Sequence, residues 1–160
     1  MLASLRRAAA ALLLALTALP GAAAALDLKL ELRDGDDGPA RLLSLADLDA
    51  LPQARIKTST PWTIGVVVFD GVSGPAIAAM APKGATEVHA VAHNDYVYTI
   101  PLEDFATGEA IIATRRDGAT MTLRNKGPYW VMYDFDGMTR GAQTLREPRA
   151  VWQLKTLVFR

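Results

Sequence analysis

The chain of 160 residues contains no cysteine at all. That single absence excludes disulfides, thiolate metal sites and cysteine nucleophiles, so the fold must hold together by burial alone. Histidine is nearly as scarce, with only His89 and His93. On a strand, a spacing of four residues separates the two rings by about 13 Å, too far to share one ion. No serine, histidine and carboxylate grouping stands in a recognisable nucleophile context. Excess charge of one sign is also missing, since the formal net charge is zero at pH 7. A nucleic-acid partner needs a concentrated positive face, and none is present. No apolar run reaches the roughly 20 residues needed to span a bilayer.

What is present begins with a leader. Met1–Arg7 carries Arg6 and Arg7, Ala8–Leu19 is apolar except for Thr17, Pro20-Gly21 breaks the run, and Ala23-Ala24-Ala25 supplies small residues for cleavage. The pattern predicts a signal peptide over residues 1–25 and export, with a single domain over residues 26–160. A retained anchor would need a longer run. Arg6-Arg7 hints at twin-arginine export, but Ala8-Ala9-Ala10 lacks the large apolar follow-up, which favours general secretion. The mature chain is then slightly negative, without a membrane span, and periplasmic.

The rest of the chain reads as α+β, mostly β, with short helices. Leu26, Leu28, Leu30 and Leu32 alternate with polar residues, the period of a half-buried strand. Asp34–Pro39 is a turn by composition, and Ser44 with Asp47 predicts a capped helix from Leu45 to about Ala50, stopped by Pro52. "ARIKTSTPWTIG" starts as a strand and ends in small or rigid residues before Trp62; "TIGVVVFDG" is a buried strand, and Pro75–Met80 a short helix. "TEVHAVA" and "YVYTI" are strands, and Pro101 starts a helical turn. "AIIATRRDGATMTL" is a hairpin around Asp117-Gly118. "PYWVMYDF" and "AVWQLKTLVF" are further strands separated by a polar loop, Asp136–Arg149.

Polar and aromatic groups gather at the predicted strand ends: Pro61-Trp62, "HNDY", "TRRDG" and "NKGPYW". Each has a local explanation. Asn94 and Asp95 are ordinary turn formers, Arg115 and Arg116 can be solvated charges, and Trp130 and Trp152 can be core. Together they offer an aromatic face, carboxylates and guanidinium groups within one small domain.

Five blocks, "FDGVSGPAI", "HNDYVYTIPLEDF", "IIATRRDG", "NKGPYWVMYDF" and "RAVWQLKTL", run in the order of the conserved segments of the sulfite-oxidase-type molybdopterin-binding domain, which the chain resembles over roughly Leu45–Val158. The resemblance implies that domain's fold. It also locates a departure: the strand that presents the family's molybdenum-ligating cysteine is similar to "RIKTSTPW", where Ser59 or Thr60 stands instead. Neither hydroxyl replaces a thiolate for such a metal. The chain further looks like the short, exported, cysteine-free pterin-binding regulators that act on a membrane-bound cyclic-di-GMP enzyme. The resemblance thus implies a small-molecule binding protein without redox catalysis, a pterin as ligand, and the periplasmic domain of a membrane signalling protein as partner. The alternatives are a molybdopterin-dependent oxidoreductase of the sulfite oxidase type, an unrelated hydrolase, and a structural subunit.

A pterin is a flat bicycle with a donor edge beside an acceptor. Trp62 can stack on it, Asp95 or Asp117 can accept from its amino and ring N–H groups, and Arg115 or Arg116 can donate to its carbonyl. Asn94 and Tyr96 suit the remaining edges. Trp62, Asn94, Asp95 and Arg116 lead this candidate set, followed by Arg115, Asp117 and Tyr129. No catalytic residue and no metal ligand is expected.

Overall fold

The computed structural model describes residues 28–160. The expected signal peptide, residues 1–25, and Leu26 of the expected first strand lie outside the described residues. The architecture is α+β and mostly sheet. Strand β1 (Leu30–Asp34) turns through a tight loop into β2 (Ala40–Leu43). Its alternation buries Leu30 and Leu32 and leaves Glu31 and Arg33 half-buried, as period-2 patterning requires. Helix α1 (Leu45–Asp49) follows with the expected start. The Ser44 hydroxyl accepts from the Asp47 N–H at 3.2 Å, and the Asp47 carboxylate accepts from the Ser44 N–H at 2.8 Å.

Strands β3 (Gln53–Ser59) and β4 (Val66–Val72) form an antiparallel pair with Ile56 opposite Phe69. Helix α2 (Gly74–Ala78) carries Pro75 in its first turn, where a missing N–H costs nothing. Gly74 is required by closeness: a Cβ there would lie 2.3 Å from the carbonyl oxygens of both Phe105 and Ala110. Strands β5 (Glu87–Ala92) and β6 (Val97–Pro101) make a hairpin, and helix α3 (Leu102–Ala106) starts at Pro101. Strand β7 (Ala110–Arg116) is buried from Ala110 to Thr114 and turns through Asp117-Gly118 into β8 (Ala119–Thr120). Both turn residues have positive φ, 50° and 79°, which the Asp-Gly pair tolerates. Strand β9 (Trp130–Tyr133), helix α4 (Arg140–Arg146) and strand β10 (Leu154–Phe159) complete the chain.

One sheet has the order β2-β1-β10-β5-β6, with β1 and β10 parallel; the other runs β3-β4-β7-β8, with β9 also on β7. Both sheets feed one contiguous core, in which Leu30, Phe69, Ile112, Trp130 and Leu157 have no solvent exposure. Each such side chain contributes about 1.5–3 kcal/mol by leaving water. Among the described residues no helix is long and apolar enough to cross a membrane.

Three expectations are corrected. The segment Asp136–Arg149 is not simply a polar loop: it holds α4 and a 3-10 turn, Glu147–Arg149, with the Thr139 hydroxyl accepting from the Ala142 N–H at 3.4 Å. The return strand of the Asp-Gly hairpin lasts only two residues before the chain turns into a 3-10 turn, Leu123–Asn125. The closing strand begins at Leu154, because Gln153 takes a left-handed conformation, φ 52°, that cannot extend a strand.

Candidate ligand-binding site

Three loops meet around a cavity of about 300 Å³. The turn after β3 brings Trp62, the β5–β6 loop brings Asn94 and Tyr96, and the segment between α4 and β10 brings Glu147, Pro148, Ala150, Val151 and Trp152. Each loop has its own local cause. In the first, the Thr60 hydroxyl accepts from the Trp62 N–H at 3.2 Å and pairs with the Thr63 hydroxyl at 2.9 Å, so "TPWT" is a side-chain-tied turn that presents the indole. In the second, Asp95 is left-handed, φ 63°, and the Asn94 side-chain oxygen accepts from the Tyr96 N–H at 3.3 Å. In the third, Gln153 is pinned from both sides: its N–H donates to the Lys126 carbonyl, its amide to the Leu123 carbonyl, and its own carbonyl accepts from the His93 N–H at 2.8 Å.

The cavity is built of aromatic surface. Trp62 meets Trp152 edge-on with ring centroids 5.4 Å apart, Phe135 at 5.8 Å, and the fully buried Trp130 at 6.0 Å. The Lys126 ammonium sits 4.2 Å from the Trp152 ring centre. The Tyr96 hydroxyl donates to the Pro148 carbonyl at 3.1 Å and so ties the second loop to the third. Against this apolar body stand few polar groups. Glu147 is the one carboxylate lining the cavity, and among the described residues its side chain has no ion pair and no hydrogen bond. Trp62 and Trp152 are only half-buried, so a flat guest can reach them.

The Glu147–Trp152 wall is held by charge. Asp104, on α3 and 5% exposed, accepts from Arg149 Nη1 at 2.8 Å and from the Tyr133 hydroxyl at 2.9 Å. Arg146, on α4, is bidentate to Glu109 at 2.7 and 2.8 Å and lies 3.9 Å from Asp104. Burial and the adjacent Asp104 carboxylate push the Tyr133 phenol far above its ordinary range, so it stays a donor. The wall is further tied to the core by the Trp130 indole N–H, which donates to the Ala150 carbonyl at 3.2 Å.

A smaller cavity of about 180 Å³ adjoins the first. It shares Glu147 with the first and is otherwise lined by Ser59, Thr60, Pro61, Phe135, Asp136 and Gln143. The Ser59 N–H and hydroxyl both donate to the Asp136 carboxylate, and the Asp136 N–H donates to the Thr58 hydroxyl at 3.0 Å. The Ser59 hydroxyl, then its N–H, hold the Asp136 carboxyl below its ordinary 3.8.

No model of a known protein family matches the chain. Nor does any curated protein match it.

The structure brings three of the eight sequence-expected residues to the cavity: Trp62, Asn94 and Tyr96. The other five line neither cavity. Asp95 is exposed and supplies the bend of its loop. Asp117 accepts from the Val68 N–H at 3.0 Å and returns its own N–H to the Val68 carbonyl, which extends the β4–β7 pairing. Arg115 forms a bidentate pair with Asp49 at 2.6 and 2.8 Å. Arg116 stands opposite Phe69 and Ala119 in the sheet. Tyr129 is buried, its hydroxyl donating to the Leu28 carbonyl at 2.7 Å. The buried carboxylate is instead Asp104, paired with the part-buried Arg149 and near the part-buried Arg146. Glu147 and Trp152 are the residues that sequence reasoning missed or assigned to the core. The only signal for them was the run "REPRAVW", a Pro between charges ahead of an aromatic.

His93 marks the edge of the site in another way. Its Nε2 is buried without a hydrogen-bond partner, and burial, then the Lys155 charge, hold its pKa below the ordinary 6.5. A lowered histidine pKa means that the unfolded chain takes up its proton first. Stability is therefore complete above the ordinary value and declines as pH falls through the folded one. Thermal unfolding followed from about pH 7.5 to 5 shows a falling midpoint for the wild type and a flatter curve for His93→Gln; parallel curves would clear His93 of this role. A second decline begins only below 3.8, where Asp136, Asp49 (held down by Arg115) and Asp47 (held down by Ser44) take up protons.

Proposed function

We propose that this chain is a periplasmic binding protein for a planar heteroaromatic ligand of the pterin class, a non-catalytic member of the sulfite-oxidase-type fold that regulates a membrane-bound signalling enzyme such as a cyclic-di-GMP cyclase or phosphodiesterase or a sensor kinase. The observation that carries the reading is the cavity in which half-buried Trp62 and Trp152 face a space rimmed by Asn94 and Glu147. Ligand pockets combine an apolar body with a few convergent polar groups. An aromatic wall gives a flat ring about 0.5–1.5 kcal/mol beyond area burial. The Asn94 amide and the Glu147 carboxylate are the polar groups within reach of the ring's edge, in place of the expected Asp95 and Asp117.

The residues do not fit a molybdenum centre. Where the resembled enzymes carry cysteine, Ser59 gives its hydroxyl to Asp136 and Thr60 pairs with Thr63. In the resembled enzymes the metal is anchored there by a thiolate, and here both hydroxyls are already committed to shaping the turn. No group of three or more His, Cys, Asp or Glu side chains among the described residues is arranged for a metal ion.

Isothermal titration of the purified protein with reduced and oxidised pterins tests the proposal. The expected result is one-to-one binding accompanied by quenching of tryptophan fluorescence. Absence of binding, or co-purification of stoichiometric redox-active molybdenum from the native host, would overturn it.

A further inference from the structure

The two adjoining cavities differ in chemistry. The larger is aromatic, while the smaller offers acceptors and negative charge. Glu147 is common to both and has no partner among the described residues. In the smaller cavity Asp136 adds a second carboxylate, and the Gln143 amide nitrogen already donates to the Phe135 carbonyl at 2.7 Å, which leaves the amide oxygen as an acceptor. The Ser59 and Thr60 hydroxyls are engaged with Asp136 and Thr63. No lysine or arginine lines either cavity. Arg146 is paired with Glu109, Arg149 with Asp104, and Lys126 lies over the face of Trp152, while Arg140 and Lys57, the cations nearest along the chain to Asp136 and Ser59, are exposed and line neither cavity.

A site of this kind accepts donors and repels anions. The geometry points to a bipartite ligand, resting on the pterin reading above: a flat ring in the larger cavity against Trp62 and Trp152, and a short, uncharged, hydroxyl-bearing tail lying past Glu147 toward Asp136 and Gln143. Tail hydroxyls donate to the two carboxylates and the Gln143 oxygen. A phosphate ester in the same place meets two like charges with no cation lining either cavity to offset them. The site thus selects the dephosphorylated form of its ligand, and Glu147 is the residue that sets this specificity.

The test uses three probes on the full mature protein: neopterin, its tail phosphate ester, and a pterin with a methyl group in place of the tail. Affinities are read by titration calorimetry and tryptophan quenching. The expected order is neopterin tightest, with the phosphate ester at least about tenfold weaker at low salt. Glu147→Gln, whose fold is checked by circular dichroism, narrows the gap between neopterin and its ester by weakening the first and relieving the charge repulsion on the second. Equal or tighter binding of the ester, or equal binding of the tailless probe, overturns the tail site while leaving the pterin reading in place. An unchanged gap in Glu147→Gln removes Glu147 as the selector. If none of the three binds, the pterin reading falls and takes this inference with it.

Discussion

Replacing Asp104 with alanine costs about 3–5 kcal/mol of folding stability, the largest effect expected of any single polar side chain here. The reason is what the substitution leaves behind. Arg149 sits at 2.8 Å from the Asp104 carboxylate, Arg146 at 3.9 Å, and the Tyr133 hydroxyl at 2.9 Å. Arg146 keeps Glu109, but Arg149 loses its ion partner and its Nε already lacks a hydrogen bond. A part-buried charge left without its counter-charge is costly, and domains of this size are stable by only about 5–15 kcal/mol. Tyr133→Phe, which deletes one donor and no charge, costs about 1 kcal/mol. Urea unfolding of both variants separates the two effects. A loss for Asp104→Ala no larger than that of Tyr133→Phe would show the cluster to be solvated. Because the cluster holds the Glu147–Trp152 wall, affinity for the proposed ligand is expected to fall together with stability in Asp104→Ala.

On the proposed reading, Trp62→Ala weakens pterin binding by at least about 30-fold while costing far less stability than a core tryptophan would. Its indole lines the cavity, and its removal forfeits about 1.5–3 kcal/mol of apolar contact together with the stacking contribution. Stability suffers less because Trp62 is half-buried in the free protein, and its neighbours Trp152 and Phe135 are placed by bends of their own next to β10 and β9. Trp130→Ala, by contrast, empties a site with no solvent exposure and costs about 3–5 kcal/mol. Titration calorimetry alongside urea unfolding distinguishes the two. Equal affinity of wild type and Trp62→Ala would take Trp62 out of the site.

Local chemistry was readable wherever a short segment contains its own explanation. The Ser44–Asp47 cap, the Asp117-Gly118 turn and the alternation of β1 and β5 involve residues within a few positions of one another. Helix α4 was not readable, because "TRGAQTLR" has a glycine inside it and little apolar periodicity. Its support comes from contacts far along the chain, such as Arg146 with Glu109, and from Gln143 on Phe135.

The site divides along the same line. The types of group at the strand ends were written in the chain: an indole after Pro61, an Asn and a Tyr in one loop, and arginines and an Asp in another. Which of them converge was decided by sheet pairing. The β7–β8 turn is absorbed by pairing with β4, where Val68 uses Asp117, while Asp49 uses Arg115. The β5–β6 loop instead closes on Pro148, beside Trp62. Amino-acid order alone determined the absence of thiol chemistry, the β-rich class and the aromatic and amide groups available for recognition. Tertiary structure alone decided that Glu147 faces the cavity and that Asp104 is the carboxylate kept from water. Burial and convergence depend on pairings between residues many positions apart, and no local pattern carries them.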